Sequence, residues 1–150
     1  MELFLLRHGD AEAGLPDSAR QLTAVGRKKI INSANGYRQH CGEIDLVLTS
    51  PLQRALQSTE LFMANAALGC NYQVVDFLLP NTSIDEVERQ FQAFDLNRLL
   101  MVGHLPLLEH WIDYLTGDAS ATMATASLAS LTMDYAYKGM ATLNWIHHVD

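Results

Sequence analysis

Four side chains that can bind an anion follow three apolar runs of the 150-residue sequence. Arg7 and His8 directly follow the run LFLL, Arg54 comes shortly after the run DLVLT, and His104 directly follows the run LLMVG. Cationic groups repel one another when no anion lies among them. A phosphoryl group suits such a cluster, because arginine forks bind its oxygens through charge-assisted hydrogen bonds.

The two histidines of this cluster, and the residues next to it in the sequence, are suited to phosphoryl transfer. One imidazole would be neutral and attack phosphorus, while the other would be an imidazolium that holds a phosphoryl oxygen. A phosphohistidine intermediate divides hydrolysis into two easier steps. Gly9 would let the backbone come close to the ligand. Ser50 and Pro51 predict a helix start whose N–H groups favour an anion.

Strands alternate with helices along most of the chain. Strands are predicted at residues 2–6, 45–49, 72–78 and 99–103, and an antiparallel hairpin at 127–134 and 140–146. Helices are predicted to start at Thr23, at Ser50-Pro51, at Ser83 and after His104-Leu105-Pro106. This order predicts a three-layer α/β/α fold with a mostly parallel central sheet. In such sheets the ligand crevice lies beyond the carboxyl ends of the strands.

Length and composition restrict the class of protein. The length suits a single domain over residues 1–150, with no cap or insertion domain. A net charge of −7 argues against a nucleic-acid partner. The apolar run at the N-terminus is too short for a signal peptide or a membrane span, so we expect a cytoplasmic protein without a membrane partner. Cys41 and Cys70 are predicted to be reduced thiols, although a disulfide stays open.

Three motifs resemble those of the histidine phosphatase superfamily, whose fold is phosphoglycerate mutase-like. They are RHG at 7–9, SPLQRALQST at 50–59, and VGHLPL at 102–107. The segments LLRHGDAE, LTAVG and TASLASLTMD look like the SixA-type phosphohistidine phosphatases of that superfamily. The similarity extends from residue 3 to about residue 146.

The resemblance implies a role for each matching residue. His8 would be the nucleophile that carries the phosphoryl group, and Arg7, Arg54 and His104 would bind its oxygens. Ser50 would be a structural cap close to the pocket. The resemblance implies no metal and no other cofactor, and inorganic phosphate or sulfate is expected to bind in the pocket.

The proton donor is not identified by any motif. Asp10, Glu12 and Asp17 lie in the loop after the nucleophile and are the candidates. A donor matters most when the leaving atom is strongly basic. An imidazole that leaves phosphohistidine departs as a neutral ring, so a site without a well-placed acid favours phosphohistidine over phosphoserine.

The predicted function is therefore hydrolysis of phosphohistidine in a protein. The SixA resemblance further implies a phosphotransfer domain of a two-component relay as the substrate. One alternative is a phosphomonoesterase for small metabolites, which the short chain and missing cap oppose. Another is a non-catalytic module that binds a phosphoprotein, for which an arginine or lysine would serve as well as His8.

Overall fold

A six-stranded sheet runs through the middle of the computed structural model, which describes residues 1–150. Its strands are β1 (Glu2–Arg7), β2 (Leu46–Thr49), β3 (Tyr72–Val74), β4 (Arg98–Gly103), β5 (Leu128–Met133) and β6 (Ala141–His147). The spatial order is β3-β2-β4-β1-β5-β6. The first four strands in that order are parallel, while β5 and β6 pair antiparallel. The predicted parallel sheet with a C-terminal antiparallel hairpin is confirmed.

Helices cover both faces of this sheet. They are α1 (Ala24–His40), α2 (Gln53–Asn65), α3 (Ile84–Phe91) and α4 (Leu107–Thr116). Successive residues of β1 point to opposite faces, so Phe4 packs in the core under α1 and α2, and Leu5 in the core under α3 and α4. The three-layer α/β/α architecture is therefore confirmed.

Side-chain caps begin two helices where the sequence predicts them. The Thr23 hydroxyl accepts the Gly26 N–H at 3.0 Å, and the Ser83 hydroxyl accepts the Glu86 N–H at 3.2 Å. These bonds satisfy N–H groups that have no partner inside the helix.

The predicted start of α2 at Ser50-Pro51 is wrong. The helix begins at Gln53, with Leu52 in the capping position and no side-chain cap. The Ser50 hydroxyl accepts the Leu52 N–H at 3.2 Å, in a local turn that precedes the helix. This turn leaves the Ser50 hydroxyl in reach of His104, which it contacts.

Strand β3 is shorter than predicted. It ends at Val74, and Asp76–Leu78 form a 3-10 turn instead of the end of the strand. Phe77 and Leu78 are both buried. Two consecutive side chains of a strand point to opposite faces, whereas this turn buries both of them in the same core.

The register of three parallel strands brings their carboxyl ends level. Arg7 is paired with Gly103, and Thr49 with Val102. The next residues along the chain, His8, Ser50 and His104, therefore leave the sheet at the same edge.

No helix has both the length and the apolar character needed to cross a membrane. Cys41 and Cys70 are both free thiols.

Candidate active site

Arg7, His8, Arg54 and His104 meet at this edge of the sheet. The rings of His8 and His104 have centroids 5.0 Å apart. His104 is 1% exposed, Arg54 6% and His8 9%, so these three residues are shielded from bulk water, while Arg7 is partly exposed. The charges of Arg54 and Arg7 both act on His8. The structure thus brings together all four side chains that the sequence places after the strand ends.

The hydrogen bond of His8 determines its tautomer. Its Nδ1 atom lies 2.7 Å from the carbonyl oxygen of Gly9. A carbonyl oxygen can only accept, so Nδ1 carries the hydrogen and Nε2 keeps its lone pair. Burial, followed by the charges of Arg54 and Arg7, lowers the pKa of His8 to about 4. At neutral pH the ring is therefore an uncharged base.

His104 is also neutral, which differs from the expected imidazolium. Burial, and then the charges of His8 and Arg54, lower its pKa to about 3. Its Nε2 atom lies 2.7 Å from the Ser50 hydroxyl, and its buried Nδ1 atom has no protein partner. The sequence shows two histidines at the site but does not show that both are buried. Burial disfavours the charged form of an imidazole.

Stability should fall on acidification because both imidazoles are held neutral. Below pH 6.5 the unfolded chain binds protons at His8 and His104, while the folded chain binds none until about pH 4 at His8 and about pH 3 at His104. The free energy of unfolding therefore decreases from pH 6.5 towards pH 4, by up to about 1.4 kcal/mol per pH unit for each histidine.

Urea unfolding at pH 7, 6 and 5 measures this slope. The variants His8→Asn and His104→Asn each lack one titrating ring and should show a shallower dependence on pH. A slope identical to that of the wild type in both variants would contradict the assignment of neutral rings.

Arg54 is held by the loop between β1 and α1. One of its terminal nitrogens donates to the backbone carbonyl of Asp17 at 3.0 Å, and the other to the Asp17 carboxylate at 3.3 Å. Arg7 donates to the backbone carbonyl of Met123 at 2.8 Å. The Nε atoms of both arginines are buried and have no protein partner. Each guanidinium therefore retains a free N–H in the buried site.

Gly9 has a different role from the predicted contact with phosphate. Its N–H donates to the Ser58 hydroxyl at 3.0 Å, and its carbonyl orients His8. A side chain at this position would place a Cβ 2.7 Å from the carbonyl oxygen of Gly26, so the loop packs directly against α1. Gly9 thus allows close packing of the loop that carries His8, and its backbone groups are already bonded within the protein.

Ser58 is a site residue that sequence reasoning missed. Its hydroxyl accepts from Gly9 and donates to the backbone carbonyl of Arg54 at 2.7 Å. It therefore links the loop of His8 to the helix of Arg54. Ser58 lies four residues after Arg54 in the motif SPLQRALQST, on the same face of α2. That spacing was the available signal.

Two of the three candidate proton donors are held as carboxylates. The Thr125 hydroxyl, and then the Lys29 ammonium at 3.1 Å, keep the pKa of Asp10 below its usual range. Hydrogen bonds from Arg20, and then the charge of Arg54, lower the pKa of Asp17. Glu12 is exposed, and its backbone N–H and carbonyl bond to Gln21 and Arg20.

A loop from the far end of α4 closes one side of the site. The Met123 N–H donates to the Glu109 carboxylate at 2.7 Å, and the Ala126 N–H donates to the backbone carbonyls of Arg7 and His8 at 3.1 Å each. Glu109 thus holds the segment whose carbonyl accepts from Arg7. No pattern in the sequence indicates this contact.

The chain matches curated proteins over nearly its whole length, although no protein-family model matches it. It is 32% identical to the phosphohistidine phosphatase SixA of Escherichia coli (strain K12), over 97% of this chain and 92% of that protein. The chain belongs to the SixA family of phosphohistidine phosphatases. A SixA homolog from Haemophilus influenzae is 28% identical over 89% of each chain.

A solved structure of the SixA family shows the same fold. The protein histidine phosphatase SixA complexed with tungstate superposes with a TM-score of 0.91 at 31% identity, covering 99% of this chain and 97% of that one. A structure from Escherichia coli (str. K-12 substr. MG1655), to which an α-ribazole-5′-P phosphatase activity has been assigned, superposes with a TM-score of 0.76 at 18% identity, over 98% of this chain and 96% of that one, and supports the fold alone. The expected phosphoglycerate mutase-like fold is confirmed.

Proposed function

We propose that this chain hydrolyses phosphohistidine in a protein substrate through a covalent phosphohistidine on His8. One observation carries the proposal. A neutral imidazole with a free Nε2 lone pair lies among two arginines and a second histidine, and of these four side chains only Arg7 is partly exposed. This arrangement combines an uncharged nucleophile with fixed positive charge for the phosphoryl oxygens.

In the first step Nε2 of His8 attacks phosphorus in line with the leaving group. The bond from Nε2 to phosphorus forms while the bond from phosphorus to the substrate imidazole breaks. That imidazole retains its pair of electrons at the departing nitrogen and leaves neutral when its other nitrogen carries a proton. The Nδ1–H of His8 stays on the Gly9 carbonyl, which keeps the ring in position and disperses its developing charge.

Arg7, Arg54 and His104 stabilise the charge on the transferring group. The free Nε–H groups of the two arginines are donors for its oxygens. In the proposed mechanism the Ser50 hydroxyl, 2.7 Å from Nε2 of His104, donates to that atom, and the neutral ring then carries its hydrogen on Nδ1 and offers it to a third oxygen. Burial lowers the pKa of His104, whereas the charge of a bound phosphoryl dianion raises it and strengthens this bond.

In the second step water attacks phosphorus on the phosphorylated His8. The new oxygen–phosphorus bond replaces the bond to Nε2, which recovers its lone pair, and both protons of the water leave with inorganic phosphate as dihydrogen phosphate. Because the His8 ring departs with Nδ1 still protonated, the enzyme returns to its starting tautomer without any further proton donor.

The state of the carboxylates favours a phosphorus–nitrogen bond in the substrate. Asp10 and Asp17 are held ionised by their cationic and hydroxyl partners. Their lowered pKa values make both of them poor donors of the proton that an alkoxide leaving group needs. Phosphoserine therefore leaves poorly, whereas phosphohistidine needs no carboxylic acid.

We also propose that the substrate is a phosphotransfer domain of a two-component relay and that the enzyme acts in the cytoplasm as a single domain. Between strands β3 and β4 the chain forms only the 3-10 turn and the eight-residue α3. No inserted cap lies in that interval. A pocket without a cap admits a side chain that projects from the surface of another protein.

A substrate panel tests the proposed function. Phosphate release would be measured from a phosphorylated phosphotransfer domain, a phosphoserine peptide and small phosphate esters. We expect kcat/KM to be at least about 100-fold higher for the phosphohistidine protein, because removing a needed proton donor costs about 10² to 10⁴ in rate. EDTA should not change the rate.

Each alternative predicts a different result in the same panel. Comparable turnover of phosphoserine would contradict the preference for a phosphorus–nitrogen bond. A preference for small esters would support a metabolite phosphatase. Release of no phosphate from any substrate would support a module that only binds phosphoproteins.

A further inference from the structure

Asp17 contacts the phosphate-binding Arg54 through two separate oxygen atoms. Its backbone carbonyl accepts from one terminal nitrogen of the guanidinium at 3.0 Å, and its carboxylate accepts from the other at 3.3 Å. Two oxygen atoms of Asp17 thus accept hydrogen bonds from both terminal nitrogens of the Arg54 guanidinium. These two bonds fix the plane of the guanidinium as well as its position.

The loop that carries Asp17 is itself held in place. Arg20 donates to the Asp17 carboxylate at 3.0 Å and to the Glu12 carbonyl at 2.6 Å. The Leu22 N–H donates to the Gln57 side chain at 2.8 Å, and Gln57 lies on α2 close to Arg54. Although the Asp17 side chain is 59% exposed, its position is therefore fixed from two sides.

The donors that remain on Arg54 suit a phosphoryl group. A guanidinium has five N–H groups, and Asp17 accepts from two of them. The Nε–H and one N–H on each terminal nitrogen remain, and Nε is buried without a partner. Asp17 therefore binds one side of the fork and leaves another edge free for two parallel bonds to phosphate oxygens.

We propose that Asp17 is a positioning residue that orients the Arg54 guanidinium for the phosphoryl group and does not donate a proton to the leaving group. Its carboxylate bonds to Arg20 and Arg54 at once, so both oxygens accept hydrogen bonds from cations. A protonated carboxyl would lose one of these acceptors.

The variants Asp17→Asn and Asp17→Ala test this role by two readouts. Tungstate affinity, measured by calorimetry, should weaken by about fivefold, a modest effect because the contact is partly exposed. The kcat/KM for a series of substrates with increasingly basic leaving groups should fall by one common factor. Asp17→Ala should lose more than Asp17→Asn, since the asparagine carbonyl still accepts one bond from Arg54.

Asp134→Asn is the matched control. Asp134 is exposed and follows β5 at the opposite edge of the sheet, where the Met133 N–H bonds to the Met1 carbonyl. Its variant should bind tungstate as the wild type does. Thermal unfolding of all three variants shows whether the fold is retained.

Three results would overturn the proposal. A loss that grows with the basicity of the leaving group would make Asp17 the proton donor. Tighter tungstate binding would make its carboxylate a competitor of phosphate for Arg54. Unchanged affinity and rate would deny it any role at the site.

The inference rests on the proposed function only for the choice of substrates. Tungstate binding needs no turnover, so its loss in the Asp17 variants would support the positioning role even if the protein hydrolysed no phosphohistidine. Conversely, normal tungstate binding in active variants would overturn the positioning role and leave the proposed function intact.

Discussion

Replacing His8 by alanine should lower kcat/KM for a phosphohistidine protein by on the order of 10⁴-fold or more, because the variant has no atom that can form the phosphoenzyme. His8 is the one imidazole of the pair whose Nδ1–H is bonded to a carbonyl, which leaves Nε2 free. Single-turnover phosphate release measures the loss.

Three controls accompany the His8→Ala variant. Tungstate should still bind, since Arg7, Arg54 and His104 remain. Added imidazole should restore part of the activity, because the deletion leaves space for a free ring next to the arginines. His110→Ala removes an exposed histidine of α4 and should retain the wild-type rate. A His8→Ala variant with more than about 1% of wild-type activity would place the nucleophile elsewhere.

Replacing Arg54 by alanine should lower kcat/KM by about 10² to 10³, as expected for the loss of one preorganised donor to a developing charge. The side chain is 7% exposed, so water replaces it poorly. Tungstate affinity should weaken as well, because in the proposed mechanism Arg54 contacts the oxyanion before the reaction and during it. Steady-state kinetics together with calorimetry measure both effects.

Arg54→Lys tests whether the planar fork matters or only its charge. Lysine retains the charge but cannot form two parallel bonds, so it should recover only part of the loss. Arg38→Ala removes an exposed arginine from the last turn of α1 and is the matched control. Tungstate affinity that is unchanged in Arg54→Ala would contradict a phosphate-binding role for Arg54.

The convergence of the site could be predicted from the sequence because a parallel sheet obeys a simple rule. Arg7, His8 and His104 directly follow buried apolar runs, and the carboxyl ends of parallel strands lie at one edge. Arg54 lies in the first turn of α2, the helix that follows the buried parallel strand β2. No knowledge of side-chain contacts was needed to place these four residues together.

The contacts that tune these residues could not be predicted in the same way. Ser58, Asp17 and Glu109 act through bonds that form only when a loop closes on a distant element. Their chain separations from their partners are 49, 37 and 14 residues. Hydrophobic periodicity carries no information on such pairs.

Burial explains the differences between prediction and structure at the site itself. A sequence shows that His104 is present but not that it is 1% exposed, and this enclosure makes the ring neutral. The motif Ser50-Pro51 has the composition of a helix start, yet the Ser50 hydroxyl contacts His104 and α2 begins later. In both cases the tertiary contact overrides the local preference.

Rapid-quench trapping of the phosphoenzyme tests the central claim most directly. The enzyme would be mixed with phosphohistidine protein, quenched in alkali within the first turnover, digested and analysed by mass spectrometry. We expect one acid-labile phosphoryl group on His8, formed before inorganic phosphate appears and absent from His8→Ala. Release of phosphate at the full rate with no modified His8, or with the phosphoryl group on another residue, would contradict the mechanism.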